Sequence, residues 1–235
     1  MNAIVTRQEI LTALLFASQD ESRYALKGVC IIGANPGRQN QPIIVSTDGK
    51  RLAVIETTAV QEGLAAEPGE IVLRAEFIKA VAALSKAIGG KLYPWIKIER
   101  KAGSERVFVS LVGANCILES ESGALIEQAY PNWRGVIPPK GAVRQPCSEI
   151  GLNAELVGDY AKAAKTLECE TPIVQMSLVG KESAIEVKLI GRPTFYSIVM
   201  QTRLEEGTEY QPEFLGITKD FPKQEERPDG EHGEE

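Results

Sequence analysis

Apolar and polar positions along this chain fall into blocks, and the order of the blocks repeats. Thr6-Arg7-Gln8-Glu9 has the form of a capping box: the threonine hydroxyl accepts from the Glu9 amide and the Glu9 carboxylate reaches back. Behind it, Ile10, Leu11, Leu14 and Leu15 fall at helical spacing. Strand-like runs follow at 24–32, 42–46 and 52–57, with a polar turn region over 33–41 that carries Gly33, Pro36 and Gly37. The order then recurs. Residues 71–73 read as a short strand, and Phe77, Ile78, Val81, Leu84 and Ile88 take helical spacing. Gly89-Gly90 stops that helix, and β-like runs occupy 95–98, 107–112 and 116–118. A third, shorter copy has a strand-like stretch at 149–152, Asn153 as N-cap and a helix face of Leu156, Val157, Tyr160 and Ala164. Its strands fall at 173–178, 184–188 and 195–200.

The pattern predicts an α+β chain of three repeated β-α-β-β-β units, near 3–60, 68–122 and 147–204, with antiparallel sheets and helices on one side. Periodicity alone leaves open an unrelated α+β protein with the same element order. Between the second and third units, residues 122–145 hold Pro131, Pro138 and Pro139; this is too proline-rich for a central strand and reads as a connector. After Leu204 the chain turns polar and acidic. The expected organisation is a two-unit domain over 1–138, a one-unit half domain over 139–204 and a disordered acidic tail over 205–235.

Composition narrows the chemistry. No apolar run approaches the ~20 residues that cross a bilayer, and Arg7 and Glu9 interrupt any signal-peptide pattern, so the expectation is a cytoplasmic protein without a membrane partner. Cys30, Cys116, Cys147 and Cys169 form no C-x-x-C pair and read as reduced thiols. The single histidine, His232, lies in the tail. No metal site and no cofactor are expected, and Ser-His or Cys-His catalysis lacks its base. There is no phosphate-binding glycine loop, and Asp48, Glu56 and Glu119 show no pairing that sequence can establish, so the chain reads as a non-enzyme.

A net charge of −6 opposes broad attraction to nucleic acid but says nothing of one face. Lys79 and Lys86 share a face of the second helix, with Arg74 and Lys91 at its ends; the third helix offers Lys162 and Lys165, the first Arg7. These residues are either a DNA-facing surface or solvated faces opposite apolar stripes, and Glu76, Glu155 and Asp159 dilute their field.

Three segments belong together. Ser46-Thr47-Asp48-Gly49-Lys50-Arg51-Leu52-Ala53 contains a hairpin turn, answered far away by Tyr130-Pro131-Asn132-Trp133-Arg134-Gly135-Val136-Ile137-Pro138. The third is Ile198-Val199-Met200-Gln201-Thr202-Arg203-Leu204. Together they resemble the bacterial DNA polymerase III beta subunit, the sliding clamp. The match runs from about residue 5 to 204. The first two units look like the complete middle domain of that family, and the third looks like the second half of the last domain.

The resemblance implies a clamp-like fold with a hydrophobic pocket that receives short peptide motifs of polymerases, clamp loaders and repair proteins. The matching positions are Leu26, Thr47, Gly49, Lys50, Arg51, Leu52, Pro131, Val136, Ile198, Met200, Arg203 and Leu204, with Arg51 and Arg203 as polar groups at the rim. It implies a replication and repair accessory protein that tethers partners to double-stranded DNA. The alternative is a clamp-like adaptor or decoy that binds clamp partners without encircling DNA. A homo-oligomer is implied, a tetramer if three-unit chains complete a ring; a dimer through the third units goes with the adaptor reading. The sequence departs from the family at Gly135, where an arginine is frequent, and at Gln201-Thr202, where Pro-Met is common. The tail segment Gln211-Pro212-Glu213-Phe214-Leu215 loosely resembles the glutamine-plus-hydrophobic peptides that clamps bind. It reads either as an occupant of the pocket or as tail with a chance match.

Overall fold

Thr6 ends the first strand, β1 (Asn2–Thr6), and caps helix α1 (Arg7–Leu14). Both bonds of the capping box form: the Glu9 amide donates to Thr6 Oγ1 at 3.1 Å and the Thr6 amide to Glu9 Oε2 at 2.8 Å. Glu9 is nearly buried, so its carboxylate needs further donors. It finds them in the hydroxyls of Thr57 and Thr58 and in the Thr58 amide, at 2.7–2.8 Å. The helix start is thereby fastened to the chain just past the fourth strand.

The computed structural model describes residues 1–33, 41–59, 67–87, 95–101, 103–104, 106–112, 117–119, 124–142, 150–178 and 184–203. The first unit continues through a 3-10 turn at Tyr24–Leu26 to β2 (Gly28–Ile32), β3 (Ile43–Thr47) and β4 (Arg51–Glu56). The second holds β5 (Glu70–Arg74), α2 (Ala75–Ala87), β6 (Trp95–Glu99), β7 (Phe108–Leu111) and β8 (Ile117–Glu119). A second 3-10 turn, Trp133–Val136, lies in the connector. The third unit supplies α3 (Ala154–Thr166), β9 (Val174–Leu178), β10 (Ile185–Leu189) and β11 (Phe195–Val199).

The first two units exchange their leading strands. β1 pairs antiparallel with β6 in the sheet β1-β6-β7-β8, while β5 pairs with β2 in the sheet β5-β2-β3-β4-β11-β10-β9. The third unit joins by its last strand: β11 lies antiparallel to β4, with Leu52 opposite Ile198 and Ala53 opposite Ser197. Alternation along β4 sends Ala53 and Ile55 toward the helices, into a core with Ile10, Phe16, Ile78 and Tyr160. Leu52 points the other way, into a second cluster with Cys30, Val45, Val72, Ile126, Trp133 and Ile198. Here the proline-rich connector covers the outer sheet face. Cys30 is buried as a free thiol, and burial pushes its pKa up; Cys169 is half-buried and free. Cys116 and Cys147 lie outside the described residues.

Two expectations give way. The run 24–32 is strand only from Gly28, because Arg23 to Lys27 close the 3-10 turn. The stretch 149–152 was expected as a strand; its described part makes one bridge, Gly151 to Thr202, and no strand of its own. Met1–Arg203 form one compact unit. The tail, with Gln211 to Leu215, lies outside the described residues, as do Gly89-Gly90. No helix among the described residues is long and apolar enough to cross a membrane.

Candidate functional site

The β3–β4 hairpin is built by its own side chains. Gly49 takes φ +84°, a conformation glycine adopts without strain, and a Cβ there would lie 2.4 Å from Arg23 Nη1. Asp48 Oδ1 accepts from the amides of Lys50 and Arg51, and Thr47 Oγ1 accepts from the Gly49 amide while donating to the Arg51 carbonyl. Arg23 Nη1 donates to the Asp48 carbonyl at 2.9 Å, and Leu26 lies beside Gly49.

Around this hairpin the structure gathers most of the pocket residues. Leu52 and Ile198 face each other across the β4–β11 ladder and are buried. The ladder runs one pair further, with the Met200 amide donating to the Lys50 carbonyl at 2.8 Å, so Met200 continues the face that carries Ile198. Met200 is nonetheless 44% exposed, and Val136, on the turn that buries Trp133, is 52% exposed. Two large apolar side chains thus remain in water beside a packed apolar cluster. Tyr130 accepts from the Thr47 amide at 3.1 Å through its hydroxyl, tying the connector to the hairpin. Lys50, Pro131 and Arg203 are exposed; Leu204 lies outside the described residues.

Arg51 corrects the expectation of a rim cation. Its side chain is 5% exposed and points to the helix side, opposite Leu52. Nε donates to Asp48 Oδ2 at 3.0 Å, Nη1 to Asp159 Oδ2 at 2.7 Å and to the Leu156 carbonyl, and Nη2 to the Leu15 carbonyl. The guanidinium lies 5.0 Å from the Phe16 ring centre, and Phe16 packs on Tyr160 and Phe195. Arg51 therefore joins hairpin, α1 and α3, with its donors used inside the fold. Burial would raise the Asp159 pKa, but hydrogen bonds from Lys162 and Arg51 and their charges outweigh it and hold the carboxyl below its ordinary value. Sequence reasoning paired the segment holding Tyr130, Trp133, Arg134 and Ile137 with the hairpin but gave these four residues no place in the pocket. Their signal was an aromatic pair inside a proline-rich segment. Arg134 is exposed, with its guanidinium 4.2 Å from the Trp133 ring centre.

On the helix side a cavity of about 680 Å³ opens among the three helices, floored by Leu11, Leu14 and Leu15. Those leucines are half-buried, Leu14 and Leu15 packing against the core; the fully buried apolar residues of α1 are Ile10 and Ala13, with Phe16 just past its end. The rim carries Lys27, Lys79 and Lys162 against Glu21, Glu76 and Asp159, so its formal charges cancel. Lys79 and Lys86 on α2 and Lys162 and Lys165 on α3 are exposed. Arg7 and Arg74 are engaged within the fold. Arg7 Nε donates to the Ala82 carbonyl on α2; Arg74 stacks on Tyr24, bonds its hydroxyl and donates to the Leu125 carbonyl. Lys91 lies outside the described residues, among which no group of three or more His, Cys, Asp or Glu could hold a metal ion.

The sequence matches no protein-family model and no curated protein. Solved structures do match. The beta sliding clamp of Caulobacter crescentus superposes with a TM-score of 0.62 at 16% identity, over 86% of this chain and 65% of the clamp. The DNA polymerase III beta subunit of Thermotoga maritima gives 0.61 at 17%, over 87% and 66%. The Pseudomonas aeruginosa clamp, solved bound to griselimycin, gives 0.58 at 15%, over 87% and 66%.

The fold is that of the bacterial sliding clamps.

The chain spans about 65% of the length of these clamps. Met200 ends the ladder by which the third unit meets the first, and the exposed lysines sit on α2 and α3.

Proposed function

We propose that this protein is a sliding-clamp-like accessory of DNA replication or repair, which takes short peptide motifs of partner proteins into the groove beside the β3–β4 hairpin and tethers those partners to duplex DNA. It acts without chemistry of its own, by raising the local concentration of what it holds. The observation that carries the reading is the exposed Met200, which follows Ile198 on one face of the strand and lies opposite Lys50 of the hairpin that bears Leu52, with Leu26 beside Gly49. Methionine adapts to varied apolar side chains, which suits a groove that serves several partners. Arg134, held against Trp133, is the cation available there in place of the committed Arg51. The exposed Lys79, Lys86, Lys162 and Lys165 support a DNA contact of the nonspecific, salt-sensitive kind.

Fluorescence anisotropy of a labelled glutamine-plus-hydrophobic peptide tests the groove. Met200→Glu is expected to weaken binding about tenfold or more, since a desolvated charge replaces an apolar contact, and Lys86→Glu to leave it unchanged. Retention on closed circular against linear duplex, at rising salt, tests the tether. Peptide affinity indifferent to Met200→Glu, or the absence of any peptide binding, would sink the reading.

A further inference from the structure

The first two units hold each other by a reciprocal device, and the third unit carries both halves of it unused. In each complete unit the first strand after the helix, β2 or β6, receives the leading strand of the other unit along its free edge. β9 is the third unit's counterpart of β2 and β6. Its sheet ends there: among the described residues no strand lies on the outer edge of β9.

That edge is open to pairing. The Ile190 amide donates to the Ile173 carbonyl at 3.0 Å, and the register runs Val174 to Leu189 and Met176 to Val187. Antiparallel alternation then aims the amides of Val174, Met176 and Leu178 away from β10. These three side chains are only half-buried, and Ile173 is 51% exposed. On the covered strands, Val29, Cys30 and Ile31 of β2 are all at 0%, and Ile96 and Ile98 of β6 at 0% and 1%.

The donor is present as well. Glu70-Ile71-Val72-Leu73-Arg74-Ala75-Glu76 forms β5 and enters α2; Glu149-Ile150-Gly151-Leu152-Asn153-Ala154-Glu155 enters α3, with five of seven residues identical. Both segments are held by the chain that follows the last strand of their own unit. The Ile126 amide donates to the Val72 carbonyl at 2.9 Å, and the Thr202 amide to the Gly151 carbonyl at 2.8 Å. β5 spends its other edge on β2. The corresponding edge of 150–152, where the backbone of Ile150 and Leu152 points, has no strand among the described residues.

We propose that a second copy of this chain completes the third unit: two third units associate about a two-fold axis, and residues 150–152 of each extend along β9 of the other. Such an interface is self-complementary and closed, so it satisfies both open edges at once and leaves none to propagate. The donor is already fastened by Thr202, and the pairing repeats the one the first two units make. This inference rests on the fold and not on the peptide groove.

Analytical ultracentrifugation of the full chain tests it. The expected mass is twice 25.6 kDa at tens of micromolar. Met176→Pro removes an outward amide of β9 without touching the β10 ladder, and Ile150→Pro does the same on the donor; each is expected to return the protein to single-chain mass with its circular dichroism retained. Hydrogen exchange on the unmutated chain reads the same contact even if a variant fails to fold: two of the outward β9 amides, Met176 with either Val174 or Leu178, are slow in concentrated solution and fast on dilution. A single-chain mass throughout, an assembly that survives both folded variants, or β9 amides that exchange fast at every concentration would overturn the proposal.

Discussion

β2 and β9 do the same job in their units, yet one is wholly inside the protein and the other is not. β2 lies between β3 and β5, and its Val29, Cys30 and Ile31 have no exposure. Among the described residues β9 has β10 on one side and no strand on the other, and its Val174, Met176 and Leu178 remain half-buried. A strand's burial is therefore a property of its neighbours as much as of its residues. The complete pair of units closes on itself by exchanging strands. The third unit is attached at one edge, through β11 on β4, and below that edge by the Arg51 cluster.

The sharpest way to break this comparison is to remove the attachment. Arg51→Ala leaves Asp48 and Asp159 without their shared partner and is expected to cost about 3–5 kcal/mol in urea unfolding. Arg51→Lys should recover only part of that, since an ammonium cannot reproduce the fork that reaches Asp48, Asp159 and two carbonyls. A loss below about 1 kcal/mol would mean that the β4–β11 ladder alone holds the third unit.

The next test sets the two strands side by side. Ile31→Ala, in the covered strand, is expected to cost about 2–5 kcal/mol, and Met176→Ala, on the open edge, about 1 kcal/mol in dilute solution. Near-equal costs would show that β9 is covered in solution.

A smaller effect appears in acid. The Asp159 carboxyl has its pKa lowered in the folded protein, because the bonds and charges of Lys162 and Arg51 outweigh its desolvation. Its contribution is present above the unfolded pKa and is lost as pH falls through the folded one. Thermal unfolding followed from neutral pH down through the carboxylate range should show this loss, and Asp159→Asn should flatten it while lowering stability at neutral pH.

The smallest contrast is between the helix starts. Thr6→Ala removes one bond of a reciprocal box whose Glu9 also anchors Thr57 and Thr58, and about 1–2 kcal/mol is expected; Asn153→Ala removes a single bond to the Glu155 amide and should cost about 0.5–1 kcal/mol.

Much of the fold was legible in the sequence. The capping box at Thr6 to Glu9, the N-cap at Asn153 and the turn at Asp48-Gly49 depend on side chains that reach a backbone two or three residues away. The site was legible in part. Leu52, Ile198 and Met200 share a face because strands alternate, a rule that needs only the register. Arg51 was legible only as far as Asp48, its partner within the turn; the groups that draw it inward are the Leu15 and Leu156 carbonyls and the Asp159 carboxylate, far away along the chain. Trp133 and Tyr130 were passed over because a proline-rich connector reads as exposed chain, whereas this one lies on the outer sheet face.

By itself the sequence determined the order of strands and helices, their caps and their turns, since each follows from contacts within a few residues. Only the tertiary structure decided that β1 and β5 change places, that Arg51 turns inward, that Met200 stays in water and that, among the described residues, one edge of β9 has no partner strand. Those outcomes depend on which segments meet after long loops close, and the free energy that selects them comes from contacts between residues far apart along the chain.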